Sequence, residues 1–180
     1  MSTIAAGPLL AVAGLVAAAG AAKVVRPGPT ARALRSAGLP GSPALGRVLG
    51  GVELVVAVAA IATGSRPTAL VVVATYLAFA AFSLRLIARQ GPDADCGCFG
   101  QESSPVTSLH VALNLGAAGL AAWAAVSPPG RVTAVLADQP LAGVPFVALA
   151  LLAVWSGYAA FALLPQLGPP AVGSTGSTPA

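Results

Sequence analysis

A chain of 180 residues that is 57% hydrophobic and 8% charged, with a mean hydropathy of +0.87, carries more apolar surface than a water-soluble core can absorb. Its formal charge of +4 comes from basic residues scattered at the ends of apolar stretches, with no basic stripe interleaved with aromatics, which argues against nucleic-acid binding. A nucleotide-binding glycine loop, a Ser-His-Asp set and paired catalytic carboxylates are all missing from the sequence, which sets aside ATPase and hydrolase chemistry.

A bilayer core about 30 Å thick needs about 20 apolar residues in one helix. Five segments meet that length, running from about Ala5 to Ala22, Ala44 to Thr63, Thr68 to Ala88, Ser108 to Val126 and Gly143 to Leu164. Each is bounded by Pro, Gly or charge, so the fold class expected is an all-α polytopic membrane helix bundle. The first segment has no basic residue ahead of its apolar run, and therefore reads as a span and not as a cleaved signal peptide. Between the first two spans, Thr30 to Gly38 reads as a short interfacial helix with Thr30 as N-cap and Gly38 as its stop. Small-residue pairs Gly46/Gly50 and Gly116/Gly119 mark expected close-packing faces on the second and fourth spans. Trp123, Trp155 and Tyr158 read as interfacial or lipid-facing anchors. The tail 165–180, rich in Gly, Pro, Ser and Thr, is expected to be disordered.

Five spans place the connections after the first and third on one membrane face, whatever the orientation. Lys23, Arg26, Arg32, Arg35, Arg47, Arg85 and Arg89 flank that face, against Arg66 and Arg131 on the other. The positive-inside rule puts the richer face in the cytoplasm and the N-terminus outside.

The chain's two cysteines, Cys96 and Cys98, lie in the connection on the richer face, separated by Gly97 and followed by Phe99 and Gly100. Two residues flanking one glycine can bring their Cα atoms to roughly 5–6 Å, the separation a disulfide requires. Such a small ring is strained, and strain suits a bridge to exchange more than to stapling a fold. Asp93, Asp95 and Glu102 disfavour a thiolate, while Arg85 and Arg89 can oppose them.

Glu53 and His110 fall toward the same face. An ionised carboxylate in hydrocarbon costs several kcal/mol, so Glu53 is expected to face the bundle, protonated or paired with Arg47, His110 or Arg85. His110 and Asn114 lie one helical turn apart on one stripe. Glu53 and His110 are candidates for proton handling beside thiol chemistry, or for satisfying one another.

The Ala33–Pro40 stretch (Ala-Leu-Arg-x-x-Gly-Leu-Pro), a glutamate in the second span and the string Cys96-Gly-Cys-Phe-Gly100 together resemble the MauE proteins of methylamine utilisation, related to DoxX-like redox-associated membrane proteins. The resemblance covers about residues 4–126 and implies a four-helix membrane domain. Residues 127–164 would then be a linker and an additional fifth transmembrane helix. It implies a role in disulfide formation or maturation for the small subunit of methylamine dehydrogenase, or for another client, with Cys96 and Cys98 as redox pair and a thioredoxin-like protein as partner. It also implies a multi-pass protein of the bacterial inner membrane. No cofactor is evident, although a quinone is a possible electron acceptor, because one cysteine pair cannot be a self-contained relay. The competing readings are a Cu or Zn binding or transporting protein using the cysteines, a carboxylate and His110, and a membrane scaffold whose cysteines are incidental.

Overall fold

The computed structural model describes residues 3–91 and 106–162; the cysteine segment 92–105 and the tail from 163 lie outside the described residues. Among the described residues seven α-helices follow one another: α1 (Ala6–Val25), α2 (Pro27–Ser36), α3 (Pro43–Thr63), α4 (Arg66–Gln90), α5 (Ser108–Val126), α6 (Val132–Ala137) and α7 (Val144–Ala162). Among the described residues, five of these (α1, α3, α4, α5 and α7) are long and apolar enough to cross a membrane, which makes the protein a polytopic helical bundle. Helices are what such sequences must form, because lipid offers no partner to an open N–H or carbonyl.

The ends follow local chemistry. Ser42 caps α3, its hydroxyl accepting the Leu45 N–H at 3.1 Å, with Pro43 opening the helix. Gly64, at φ +50°, closes α3 in the left-handed region. The interfacial helix differs from the sequence reading. It begins at Pro27, so Thr30 is a buried residue inside the helix and not its N-cap, whereas Gly38 at φ +70° does follow its end. Proline at the first helical position needs no hydrogen bond there and has its φ already set, so it starts the helix ahead of the threonine.

The core joins four helices: Val12 and Val16 of α1, Ala57 and Ala60 of α3, Val72 and Tyr76 of α4, and Ala117, Ala118 and Ala121 of α5. Alanine dominates because helix association in lipid depends on close backbone approach. Tyr76 ties α4 to α1, its hydroxyl donating to the Val12 carbonyl at 2.7 Å. α1 packs along α3 and α4 along α5, with α7 laid against α1.

Connectivity agrees with the two-face arrangement. α2 lies at one end of the bundle, where Arg85 donates to the Ala37 carbonyl at 2.7 Å and Gln90 to that of Ser36 at 3.3 Å. Val106, which leads out of the cysteine segment, is buried there beside Ala33, Ala37 and Leu86. At the opposite end the Gly130 N–H donates to the Gly64 carbonyl at 3.2 Å. Trp123 and Trp155 are exposed on the bundle's outer surface, as anchors require.

α1 and α3 approach backbone to backbone at Gly20 and Gly50. A Cβ on Gly20 would lie 2.7 Å from the Gly50 carbonyl oxygen, and one on Gly50 would lie 2.6 Å from that of Gly20. Gly46 packs against Pro27 in the same way, so the expected face on the second span is real. The Gly116/Gly119 expectation is corrected: a Cβ on either residue meets nothing within 4 Å. Accordingly, Gly20→Leu should separate α1 from α3 and cost about 3 kcal/mol or more, by overpacking against backbone that cannot yield. Gly51→Ala, with open space around it, should be neutral or gain up to about 1 kcal/mol from helix propensity. Thermal unfolding in detergent, followed by size-exclusion chromatography, compares the two.

Candidate functional site

The glycine crossing sets a charge pair. Lys23 stands one turn beyond Gly20 on α1, and Glu53 one turn beyond Gly50 on α3. Because the two glycines touch, both side chains are delivered to the same gap, and Lys23 Nζ donates to Glu53 Oε2 at 2.7 Å. Their side chains are only 5% and 8% exposed, so this is an ion pair inside the bundle. Lys23 also lies over the Phe79 ring, 5.0 Å from its centroid, adding a cation–π contact. The partner of Glu53 is therefore Lys23, and the expected pairing with Arg47, His110 or Arg85 is corrected. Counting Lys23 with the flanking charges hid it: α1 runs on to Val25, so Lys23 lies inside the helix, where it packs beside Gly50 of α3 and over Phe79 of α4. Its legible signal was the matching Gly-x-x-Lys and Gly-x-x-Glu spacing on the two helices.

His110 is placed by the start of α5. Thr107 and His110 form a reciprocal cap, with the Thr107 N–H donating to His110 Nδ1 at 3.3 Å. A nitrogen that accepts carries no proton, so Nε2 is the protonated position. The ring hydrogen-bonds to the backbone of Phe161 near the end of α7 and meets the Phe161 ring with centroids 6.1 Å apart. Asn114, one turn on, donates from Nδ2 to the His110 carbonyl at 2.8 Å. Both side chains are buried, at 2% and 3% exposure.

Between these groups lies a cavity of about 20 Å³ lined by Tyr76, Phe79, His110, Asn114 and Phe161, with Leu15, Val16 and Ala19 of α1 closing it. That volume suits one water molecule, and its lining supplies polar partners for one. Phe79 separates the two polar groups, with Lys23 on its face and Tyr76 edge-on to it at 6.0 Å. Glu53 lies midway along α3 and His110 in the first turn of α5, and among the described residues no hydrogen bond joins them. Cys96 and Cys98, with Asp93, Asp95, Phe99, Gly100 and Glu102, lie outside the described residues. Among the described residues no three His, Cys, Asp or Glu side chains come together in a metal-ligating group.

Breaking a buried ion pair by removing one partner costs about 3–5 kcal/mol, whereas replacing both by apolar residues is often close to neutral. Glu53→Leu or Lys23→Met alone should therefore sharply lower the yield of monodisperse protein after detergent extraction. The double variant Lys23→Met/Glu53→Leu should recover most of it.

Comparison with known proteins agrees with this architecture. Searches of curated proteins and of solved structures gave no match. The family model described as methylamine utilisation protein MauE matches residues 1–127, which takes in α1 to α5 together with the cysteine segment and stops short of α6 and α7. With more than two thirds of its length matched, the chain belongs to the MauE family.

Proposed function

We propose that this protein is a membrane thiol–disulfide redox component, acting through Cys96 and Cys98, in the maturation of an exported client. Membership of the MauE family suggests a role in methylamine utilisation, and the proposed client is accordingly methylamine dehydrogenase or a protein handled in the same way. Kinship with DoxX-like redox-associated membrane proteins is part of the same reading.

The observation that carries it is where the chain puts its polar chemistry. The Cys-Gly-Cys segment joins the end of α4 to the start of α5, and the buried polar groups Lys23, Glu53, His110 and Asn114 gather toward that end of the bundle. In the proposed exchange, the thiolate of one cysteine attacks a client disulfide, forming a mixed disulfide and releasing one client thiolate. The other cysteine then attacks the mixed bond, leaving the protein's pair oxidised and the client dithiol reduced. Run in reverse, the same steps oxidise a client. Either direction needs a second partner, a thioredoxin-like protein or a quinone, to reset the pair. Glu53 and His110 are the proposed proton-handling groups; since Glu53 is held by Lys23, His110 is the better placed of the two.

The proposed location is the bacterial inner membrane. With Lys23 buried, six arginines remain on the cysteine face (Arg26, Arg32, Arg35, Arg47, Arg85 and Arg89) against Arg66 and Arg131 on the other, and the positive-inside bias still assigns the cysteine face to the cytoplasm. From that side, where thiols are normally kept reduced, the pair would meet the client before its export, or reach it through the thioredoxin-like partner.

A single-cysteine variant, Cys98→Ser or Cys96→Ser, should trap a mixed disulfide visible as a reducible band of higher mass in cells, while Cys96→Ser/Cys98→Ser should show none. Client oxidation unchanged in the double variant would sink the proposal. A membrane-impermeant maleimide applied to intact cells with and without prior reduction should label the pair only after the membrane is opened.

A further inference from the structure

The end of α2 gathers more positive charge than its own carbonyls require. Arg35 donates from an Nη to the Gly41 carbonyl at 2.7 Å, and Arg85 of α4 donates from Nε to the Ala37 carbonyl at 2.7 Å. Arg89, one turn beyond Arg85, lays its guanidinium against Gly38, where the left-handed glycine puts no Cβ in the way. Three guanidiniums from two helices thus meet at one turn, residues 37–41, and all three side chains are exposed.

One cation is enough to satisfy the last carbonyls of a helix and its dipole. Three that share a turn repel one another, and Arg85 and Arg89, at i and i+4 on one helix, do so directly. Among the described residues no acidic side chain offsets them. Glu53 is held by Lys23, and Asp138 follows α6, toward the end marked by the Gly64–Gly130 contact. The cysteine segment adds Asp93, Asp95 and Glu102, yet the six arginines of this face outnumber those three acids.

The geometry of the donors and their depth define the missing anion. A guanidinium presents paired N–H groups that match two oxygens of a phosphate. Arg85 spends only Nε on Ala37 and keeps both Nη groups, while Arg89 makes no hydrogen bond among the described residues. The cluster stands at the end of a membrane-crossing helix. Along that helix Leu77 and Leu84, at i and i+7, are 47% and 54% exposed, so an apolar stripe leads up to Arg85. Acyl chains lying on this stripe would bring a headgroup to the level of the guanidiniums.

We propose that Arg35, Arg85 and Arg89 form a binding site for the headgroup of an anionic phospholipid, a phosphodiester without an ammonium group such as phosphatidylglycerol, with its chains along Leu84 and Leu77. Phosphatidylcholine carries the same phosphate but adds a cation that three arginines repel, so net charge sets the preference. The bound lipid bridges the end of α2 to α4 and relieves the repulsion between Arg85 and Arg89. Nothing in this site depends on the cysteines.

The test uses the full chain in nanodiscs of equal parts phosphatidylglycerol and phosphatidylcholine, with the lipids that stay on the protein weighed by native mass spectrometry. Retained lipid should favour phosphatidylglycerol, and the preference should fall roughly fivefold for each of Arg35, Arg85 and Arg89 replaced by glutamine. Arg66→Gln/Arg131→Gln removes two charges from the other end and should lower it far less. Arg85→Gln also removes a bond between α4 and α2; should it fail to fold, Arg89→Gln decides alone. No preference over phosphatidylcholine, a preference that survives a folded Arg89→Gln, or an equal loss in Arg66→Gln/Arg131→Gln would each overturn the site. In detergent, a short-chain phosphatidylglycerol should raise the melting temperature more than glycerol phosphate at the same concentration. Equal protection by glycerol phosphate would overturn the lipid assignment in favour of a free phosphate.

Discussion

The ion pair between Lys23 and Glu53 is the constraint around which the cysteine-facing end of the bundle is arranged. Neither residue could enter an alanine-rich core alone, since an unpaired charge at that depth costs several kcal/mol. They enter together because Gly20 and Gly50 let two backbones approach until each glycine's missing Cβ is replaced by the other's carbonyl. A slide of α1 along α3 by one turn would break the glycine contact and strand both charges. Since a buried pair adds little net stability over apolar residues of the same volume, its contribution is to the register of the first two spans more than to their affinity.

From that register other placements follow. With α1 fixed against α3, α2 can turn back at Pro27 and pack its Ala33 and Ala37 against Leu86 and Val106. Arg85 and Gln90 then find the free carbonyls at the end of α2. Both flanks of the cysteine segment are held by these contacts: the end of α4 by its side-chain bonds to α2, and the start of α5 by buried Val106 and the Thr107–His110 cap.

How much of this the sequence carries depends on the kind of force involved. The spans were legible to within a few residues, α5 matching at Ser108 and Val126 while α1 runs on from Ala22 to Val25, because lipid forces every backbone group into a helix and Pro, Gly and charge mark only roughly where that stops. Glu53 was legible as an interior residue because exposing a carboxylate to lipid would be costly, and His110 and Asn114 as sharing one stripe of the fourth span. Pairing was not, since it depends on which helix faces which. Lys23 reads as a flanking charge in the sequence but is enclosed by Glu53 and Gly50 of α3 and Phe79 of α4, and Gly116 and Gly119 read as a packing face although a Cβ on either meets nothing within 4 Å. Periodicity identifies a face; only tertiary structure says whether protein or lipid lies opposite it. For Cys96 and Cys98 the reading still rests on their spacing and on the family to which the chain belongs.

The two ends of the bundle differ in chemistry, and that asymmetry bears on function independently of the cysteines. At the end where α3 meets α4, the core is closed by Ala5, Leu9, Ala69, Ala124 and Ala125, with a backbone contact between Gly64 and Gly130. Toward the other end the same small-residue scaffold takes in a lysine, a glutamate, a histidine and an asparagine, each buried. An apolar core would hold four helices together more simply, since every buried polar group must be matched by a partner with correct geometry. The histidine is held by a cap on one side and by the backbone of α7 on the other, which couples the fifth helix to the polar end of the other four. A helix beyond the region shared with the family thus completes the surroundings of a histidine within it, while packing chiefly along α1.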